Sequence, residues 1–257
     1  MRIIEPSAVV EWDQTGPQML EKIERIGRKC YKSEGKIEPG TAEPFTRMLL
    51  TRGHFAMIEH VHVTALIVCD RGVSHEIVRH RIASYAQEST RFCCYTNDRF
   101  GREIAVAQPS WFGRLMDTGA VMSRWAAAMV AAEQGYFDLV GMGCKAQEAR
   151  SVLPNSLKTE LYITMNLREW MHFFSLRTDA EAAHPDMVVV ATSVRDQFQE
   201  RLPVLFEEDW FRPAPKWRKI LLEILRATTA TPGHQSFALE RIQEIVWNAI
   251  PSLKKAA

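Results

Sequence analysis

Glu59 to Asp70, E-H-V-H-V-T-A-L-I-V-C-D, is the stretch on which the fold turns. It is β-branched and alternating, which predicts a strand. A second run, L-K-T-E-L-Y-I-T-M-N from Leu157 to Asn166, predicts another. Around them lie helical patterns. Residues 17–31 place Leu20, Ile23, Ile26 and Cys30 at helical spacing. Further helices are expected at about 42–52, over the Ala- and Met-rich 120–140, from Lys145 to Val152 ahead of Pro154, over Leu167–Arg177, and over 186–206. Residues 2–12 alternate loosely and read as one edge strand. Strands scattered among helices without regular alternation argue an α+β fold rather than a doubly wound sheet. The expected organisation is one α+β domain over residues 1–206. A helical extension over 207–257 follows the break R-P-A-P-K and packs on that domain or on a subunit contact.

The chain has 257 residues and a formal net charge of +1. A balance this close to neutral excludes a polycationic nucleic-acid coat or membrane-surface binder, so basic chemistry must be local. No apolar run of transmembrane length exists, and M-R-I-I-E-P-S lacks the apolar core of a signal peptide. Five cysteines without C-x-x-C spacing favour reduced thiols and a cytoplasmic protein.

The local chemistry follows the first strand. Gly72 is expected to open a short helix, V-S-H-E-I-V-R-H-R, which brings arginines to its carboxyl end. A loop then reads R-H-R-I-A-S-Y-A-Q-E-S-T-R from Arg79 to Arg91. Cations this dense repel one another unless an anion sits among them. Arginine's planar fork suits phosphate, with a serine hydroxyl or backbone N–H completing the oxygen shell. An anion-binding active site, for a nucleotide phosphate, is the reading of the residues alone.

The spaced pattern, R-H-R, seven residues, Ser89 and then Arg91, resembles the signature of the flavin-dependent thymidylate synthases. Other segments resemble that family too: G-H-F-A-M-I-E-H (Gly53–His60), A-R-S-V-L-P around Arg150, M-N-L-R around Asn166 and Arg168, and S-L-R-T-D around Arg177. The resemblance covers roughly residues 15–200. It implies an antiparallel sheet flanked by helices, assembled as a homotetramer with active sites between subunits. The implied reaction converts dUMP to dTMP with methylenetetrahydrofolate, FAD and NADPH. The cofactor carries the hydride, so the protein binds, orients and polarises.

By the same resemblance, dUMP falls to Arg79, Gln87, Glu88, Ser89, Arg91, Arg150 and Arg177. FAD falls to His54, Arg79, His80, Arg81, Asn166, Arg168 and His172. Arg177, Ser89 and His54 are the candidates for a direct part in the chemistry, with Arg177 stabilising charge that develops on a uracil carbonyl. The sequence departs from the family at Ala86-Gln87-Glu88-Ser89, where a carboxylate is displaced by one position. His172 stands where asparagine is frequent, and His184 is a weaker ligand candidate. No metal site is expected, since His60 and His62 lack supporting ligands. Three other readings stay open: a catalytic cysteine at Cys93 or Cys94, a flavoenzyme acting on another pyrimidine nucleotide, and a non-catalytic nucleotide- or RNA-binding phosphate patch.

Overall fold

A computed structural model describes residues 1–206; the extension expected over 207–257 lies outside them. The strands are β1 (Arg2–Ile4), β2 (Ser7–Glu11), β3 (His62–Asp70), β4 (Ser84–Gln87), β5 (Ala105–Ala107) and β6 (Lys158–Asn166). The helices are α1 (Gly16–Cys30), α2 (Ala42–Thr51), α3 (Arg71–Ile77), α4 (Thr118–Gly141), α5 (Ala146–Ala149), α6 (Leu167–Arg177), α7 (Pro185–Arg201) and α8 (Pro203–Phe206). Four strands form an antiparallel sheet in the order β2-β3-β6-β4. Helices flank it, as the α+β reading expects.

The two long strands define the sheet. β3 and β6 pair along their full lengths, from His62 opposite Asn166 to Asp70 opposite Lys158. Period-two alternation sends Val63, Ala65, Ile67 and Cys69, with Leu161, Ile163 and Met165, to one buried face. Against that face packs an aromatic cluster of Trp170, Phe173 and Phe174 from α6, Phe198 from α7 and Phe206 from α8. The indole N–H of Trp170 donates to the Val63 carbonyl at 3.0 Å, which ties helix to strand and satisfies the buried indole.

Several expectations change in detail. The edge strand over 2–12 is two strands in two sheets: β1 pairs parallel with β5, and β2 pairs antiparallel with β3. Pro6 stands between them and has no N–H to offer a ladder. The first long strand starts at His62, because Phe55–His60 turns as a 3-10 helix. The signature is not all loop, since Ser84–Gln87 pairs with β6 as β4. The helix ahead of it opens at Arg71, and the Asp70 carboxylate caps it by accepting from the Val73 N–H at 2.7 Å. It ends at Ile77, so Arg79 and Arg81 lie past its terminus. The helix expected over 186–206 breaks at Leu202, before Pro203. No helix among the described residues is long and apolar enough to cross a membrane.

Trp170 is fully buried and touches the sheet and three aromatic rings. Trp170→Ala is expected to cost about 3–5 kcal/mol of unfolding free energy. A urea titration with an unchanged midpoint would show that the sheet does not lean on this ring.

Candidate active site

The signature begins as a turn between α3 and β4, and Tyr85 fixes it. Tyr85 lies on β4 opposite Ile163, and its hydroxyl shares its one proton between the carbonyls of Ile77 at 2.9 Å and His80 at 2.7 Å. Burial pushes the phenol up to about 12, so it remains a donor at neutral pH. The clamp holds His80 inside, 5% exposed, while Arg79 and Arg81 on either side face outward. Neither arginine side chain makes a hydrogen bond or ion pair among the described residues. Guanidinium groups in this state are free to bind an anion such as a phosphate.

Arg177, at the end of α6, meets His80. Its Nε–H donates to His80 Nε2 at 3.1 Å, while Nη1 and Nη2 donate to the carboxylate and carbonyl of Glu76 at 2.9 Å and 3.3 Å. A ring nitrogen that accepts from an arginine cannot carry the proton, so the neutral His80 is protonated on Nδ1. Nδ1 stands 3.7 Å from Glu169 Oε1, and the His172 ring lies 5.8 Å from the His80 ring. Burial, then the charges of Arg177 and His172, pushes His80 down to about 4. Burial raises Glu169.

His80, Glu169 and His172 could converge on a metal ion, their ligand atoms lying within 4.8 Å of one another. An ion on His80 Nδ1 would have to displace the proton that Arg177 keeps there. The trio is therefore better described as an electrostatic cluster than as a metal centre.

The second group of expected residues gathers after β4. Ser89 Oγ accepts the Arg91 N–H at 3.3 Å, and Arg150 donates to Thr90 Oγ1 at 3.2 Å, so the A-R-S-V-L-P arginine touches the signature loop. The guanidinium of Arg91 lies over the Phe92 ring. Gln87 turns inward and donates to the hydroxyls of Ser74 and Thr159 at 2.9 Å and 3.1 Å. Glu88 turns the other way: it pairs with Lys158 at 3.2 Å and accepts from the Tyr95 hydroxyl at 3.3 Å. No hydrogen bond or ion pair among the described residues links Ser89 or Arg150 to Arg177.

A third group forms beside the 3-10 turn. His54 Nδ1 shares a hydrogen bond with the Tyr31 hydroxyl at 2.6 Å. Arg168 pairs with Glu59 and lies over the Phe55 ring. Asn166 is committed on one side, where its side-chain oxygen caps α6 by accepting from the Glu169 N–H at 2.8 Å. The reciprocal half of a capping box is missing because the Glu169 carboxylate faces His80. His184 caps α7 with Nδ1 accepting from the Asp186 N–H at 3.3 Å. Cys94 Sγ is hydrogen-bonded with Thr96, and burial raises Cys93; neither thiol touches Arg177. Sequence reading passed over Tyr31, Glu76 and Tyr85. The E-I-V preceding R-H-R and the alternation of S-Y-A-Q were the signals available for the last two.

The low value of His80 has a consequence for stability. The folded state holds the group neutral down to about pH 4, whereas the unfolded chain takes the proton near its ordinary 6.5. Stability is therefore full above that range and is lost as pH falls from about 6.5 to about 4, by on the order of 3 kcal/mol. His80→Gln should lose less stability than the parent between those pH values in chemical denaturation, and parallel curves would refute the assignment.

The model of the family described as thymidylate synthase complementing protein matches residues 12–204. A flavin-dependent thymidylate synthase of Geobacter sulfurreducens is 33% identical over 202 residues, covering 76% of this chain and 84% of that protein. One from Pyrococcus furiosus is 30% identical over 195 residues, covering 76% and 75%. Among solved structures, a UMP/dUMP methylase, PolB from Streptomyces cacaoi bound with 5-Br dUMP, shares the fold. Its TM-score is 0.65 at 24% identity, covering 80% of this chain and 96% of that one. With the spaced signature folded against the end of α6, and a match that spans nearly all of the described residues, the chain belongs to the thymidylate synthase complementing protein family, that of the flavin-dependent thymidylate synthases.

Proposed function

We propose that this protein methylates dUMP to dTMP, with methylenetetrahydrofolate as carbon donor, FAD as bound flavin and NADPH as reductant. The observation that carries the reading is Arg177, held by Glu76 and His80 against the R-H-R turn, whose Arg79 and Arg81 are exposed and have no carboxylate partner among the described residues. Family membership supports the flavin, and the name of the structural neighbour, a UMP/dUMP methylase, agrees with a uridine nucleotide.

In this reading Ser89, Arg91 and Arg150 hold the nucleotide phosphate. Arg177 donates to a uracil carbonyl and stabilises negative charge as it develops there. Arg79 and Arg81, exposed and uncommitted, fit the diphosphate of FAD. His172 and the free amide protons of Asn166 offer donors to the flavin ring, and Arg168 lies on the same flank. When bound, the flavin supplies hydride chemistry that no side chain can. His54, oriented by Tyr31, is assigned to the flavin and folate on the family resemblance. No protein nucleophile is required, in keeping with the placement of Cys93 and Cys94 away from Arg177. A homotetramer with intersubunit sites, and action in the cytoplasm, accompany the family reading.

The test is dTMP formation by purified protein given dUMP, methylenetetrahydrofolate, NADPH and FAD, each omitted in turn, with UMP as a parallel substrate. Product that needs all four is expected. Product from UMP alone would move the assignment to another pyrimidine nucleotide. A colourless, inactive sample whose nucleotide binding falls steeply with salt would favour the phosphate patch. Arg177→Ala is expected to lower turnover by about 10²–10³-fold while retaining the flavin absorbance. Unchanged turnover would remove Arg177 from its role.

A further inference from the structure

Glu76 has been given no part in binding or chemistry. It lies in the last turn of α3, half-exposed, at the rim where Arg177 emerges. Two of its oxygens grip the guanidinium: carboxylate Oε2 accepts from Nη1 at 2.9 Å and the backbone carbonyl accepts from Nη2 at 3.3 Å. With Nε–H committed to His80, three of five guanidinium N–H groups are held. Two remain, one on each Nη, and the bonds to Glu76 fix the directions in which they point.

Neither stability nor phosphate affinity accounts for this carboxylate. An ion pair whose carboxylate is 38% exposed adds little to stability, and a negative charge close in sequence to Arg79 and Arg81 weakens attraction for an anionic nucleotide. Orientation does account for it. A guanidinium held only through Nε could swing about its side-chain torsions, whereas one held at all three nitrogens has a fixed plane.

We infer that Glu76 is the positioning residue for Arg177, aiming its two remaining N–H groups at the pyrimidine carbonyl; this rests on the reading that Arg177 meets the uracil. The pair also ties the end of α3 to the end of α6, elements 101 positions apart in sequence, so its geometry is set by the fold and not by a local turn.

Glu76→Ala and Glu76→Gln test it, with kcat, the KM for dUMP, the melting temperature and the NMR signals of the Arg177 guanidinium in ¹⁵N-arginine-labelled protein as readouts. Misaiming a catalytic donor costs turnover on the order of 10²-fold. Glu76→Ala should lose that much kcat, with KM and melting temperature little changed, because the phosphate contacts lie elsewhere. Glu76→Gln keeps an acceptor oxygen and should recover most of the loss. Wild-type kcat in the alanine variant, or equal losses in both variants alongside lowered melting temperatures, would overturn the inference. Should the parent enzyme make no dTMP, the functional reading fails, and the NMR signals still test the grip. Resolved Nη protons in the parent that average in Glu76→Ala support it, and identical signals overturn it.

Discussion

The nine-residue ladder between β3 and β6 is the constraint on which the rest depends. Each strand delivers a helix from one of its ends. Asp70 finishes β3 and caps α3, and Asn166 finishes β6 and caps α6. Because the strands are antiparallel, those helices start at opposite ends of the ladder. α3 must then run back along the sheet before the R-H-R turn can meet α6. Its seven residues span about 10 Å at the helical rise, which brings the turn toward that end. β4 then re-enters the sheet with Ser84 opposite Thr164, two residues short of Asn166. The signature and the flavin-side candidates thus share one end of the sheet.

Electrostatics complete what the ladder begins. The site holds more cations than anions, yet they are managed in different ways. Arg177 is fully engaged by the protein on one side, Arg168 has Glu59, and Arg79 and Arg81 are left to water. Buried His80 stays neutral, as a ring against a guanidinium must. Arginines with a carboxylate partner hold a geometry without substrate. Those without one attract an anion and are ordered by it.

Long elements were legible in the sequence because their periodicities are long. β3, β6, α1, α4 and α6 fall within a few residues of their expected positions. β4 and β5 were not, because strands of four and three residues carry too little alternation to stand out from loop. The start of β3 was overreached because Glu59 and His60 extend its pattern while their backbone still turns. Among the candidate site residues, the family resemblance pointed to Arg79, Ser89, Arg150 and Arg177, and the structure joins Arg150 to the signature loop and Arg177 to His80. The opposite courses of Gln87 and Glu88 depend on Thr159 and Lys158, more than seventy positions away for Gln87 and seventy for Glu88. No local pattern contains them. Tyr85 was hidden for a related reason: its partners are backbone carbonyls, which carry no sequence signal.

The Tyr85 clamp also shapes how sequence changes combine. One hydroxyl holds the last turn of α3 and the R-H-R turn together, so His80, Arg177 and Glu76 keep their mutual geometry through a shared support. Substitutions within such a set interact, and their separate free-energy effects do not sum. The Ser89, Arg91 and Arg150 group has no hydrogen bond to that set among the described residues, so changes there combine independently with changes at His80. The candidate residues thus fall into two groups that can change independently of each other: Ser89, Arg91 and Arg150 on one side, and His80, Arg177, Glu76 and Tyr85 on the other.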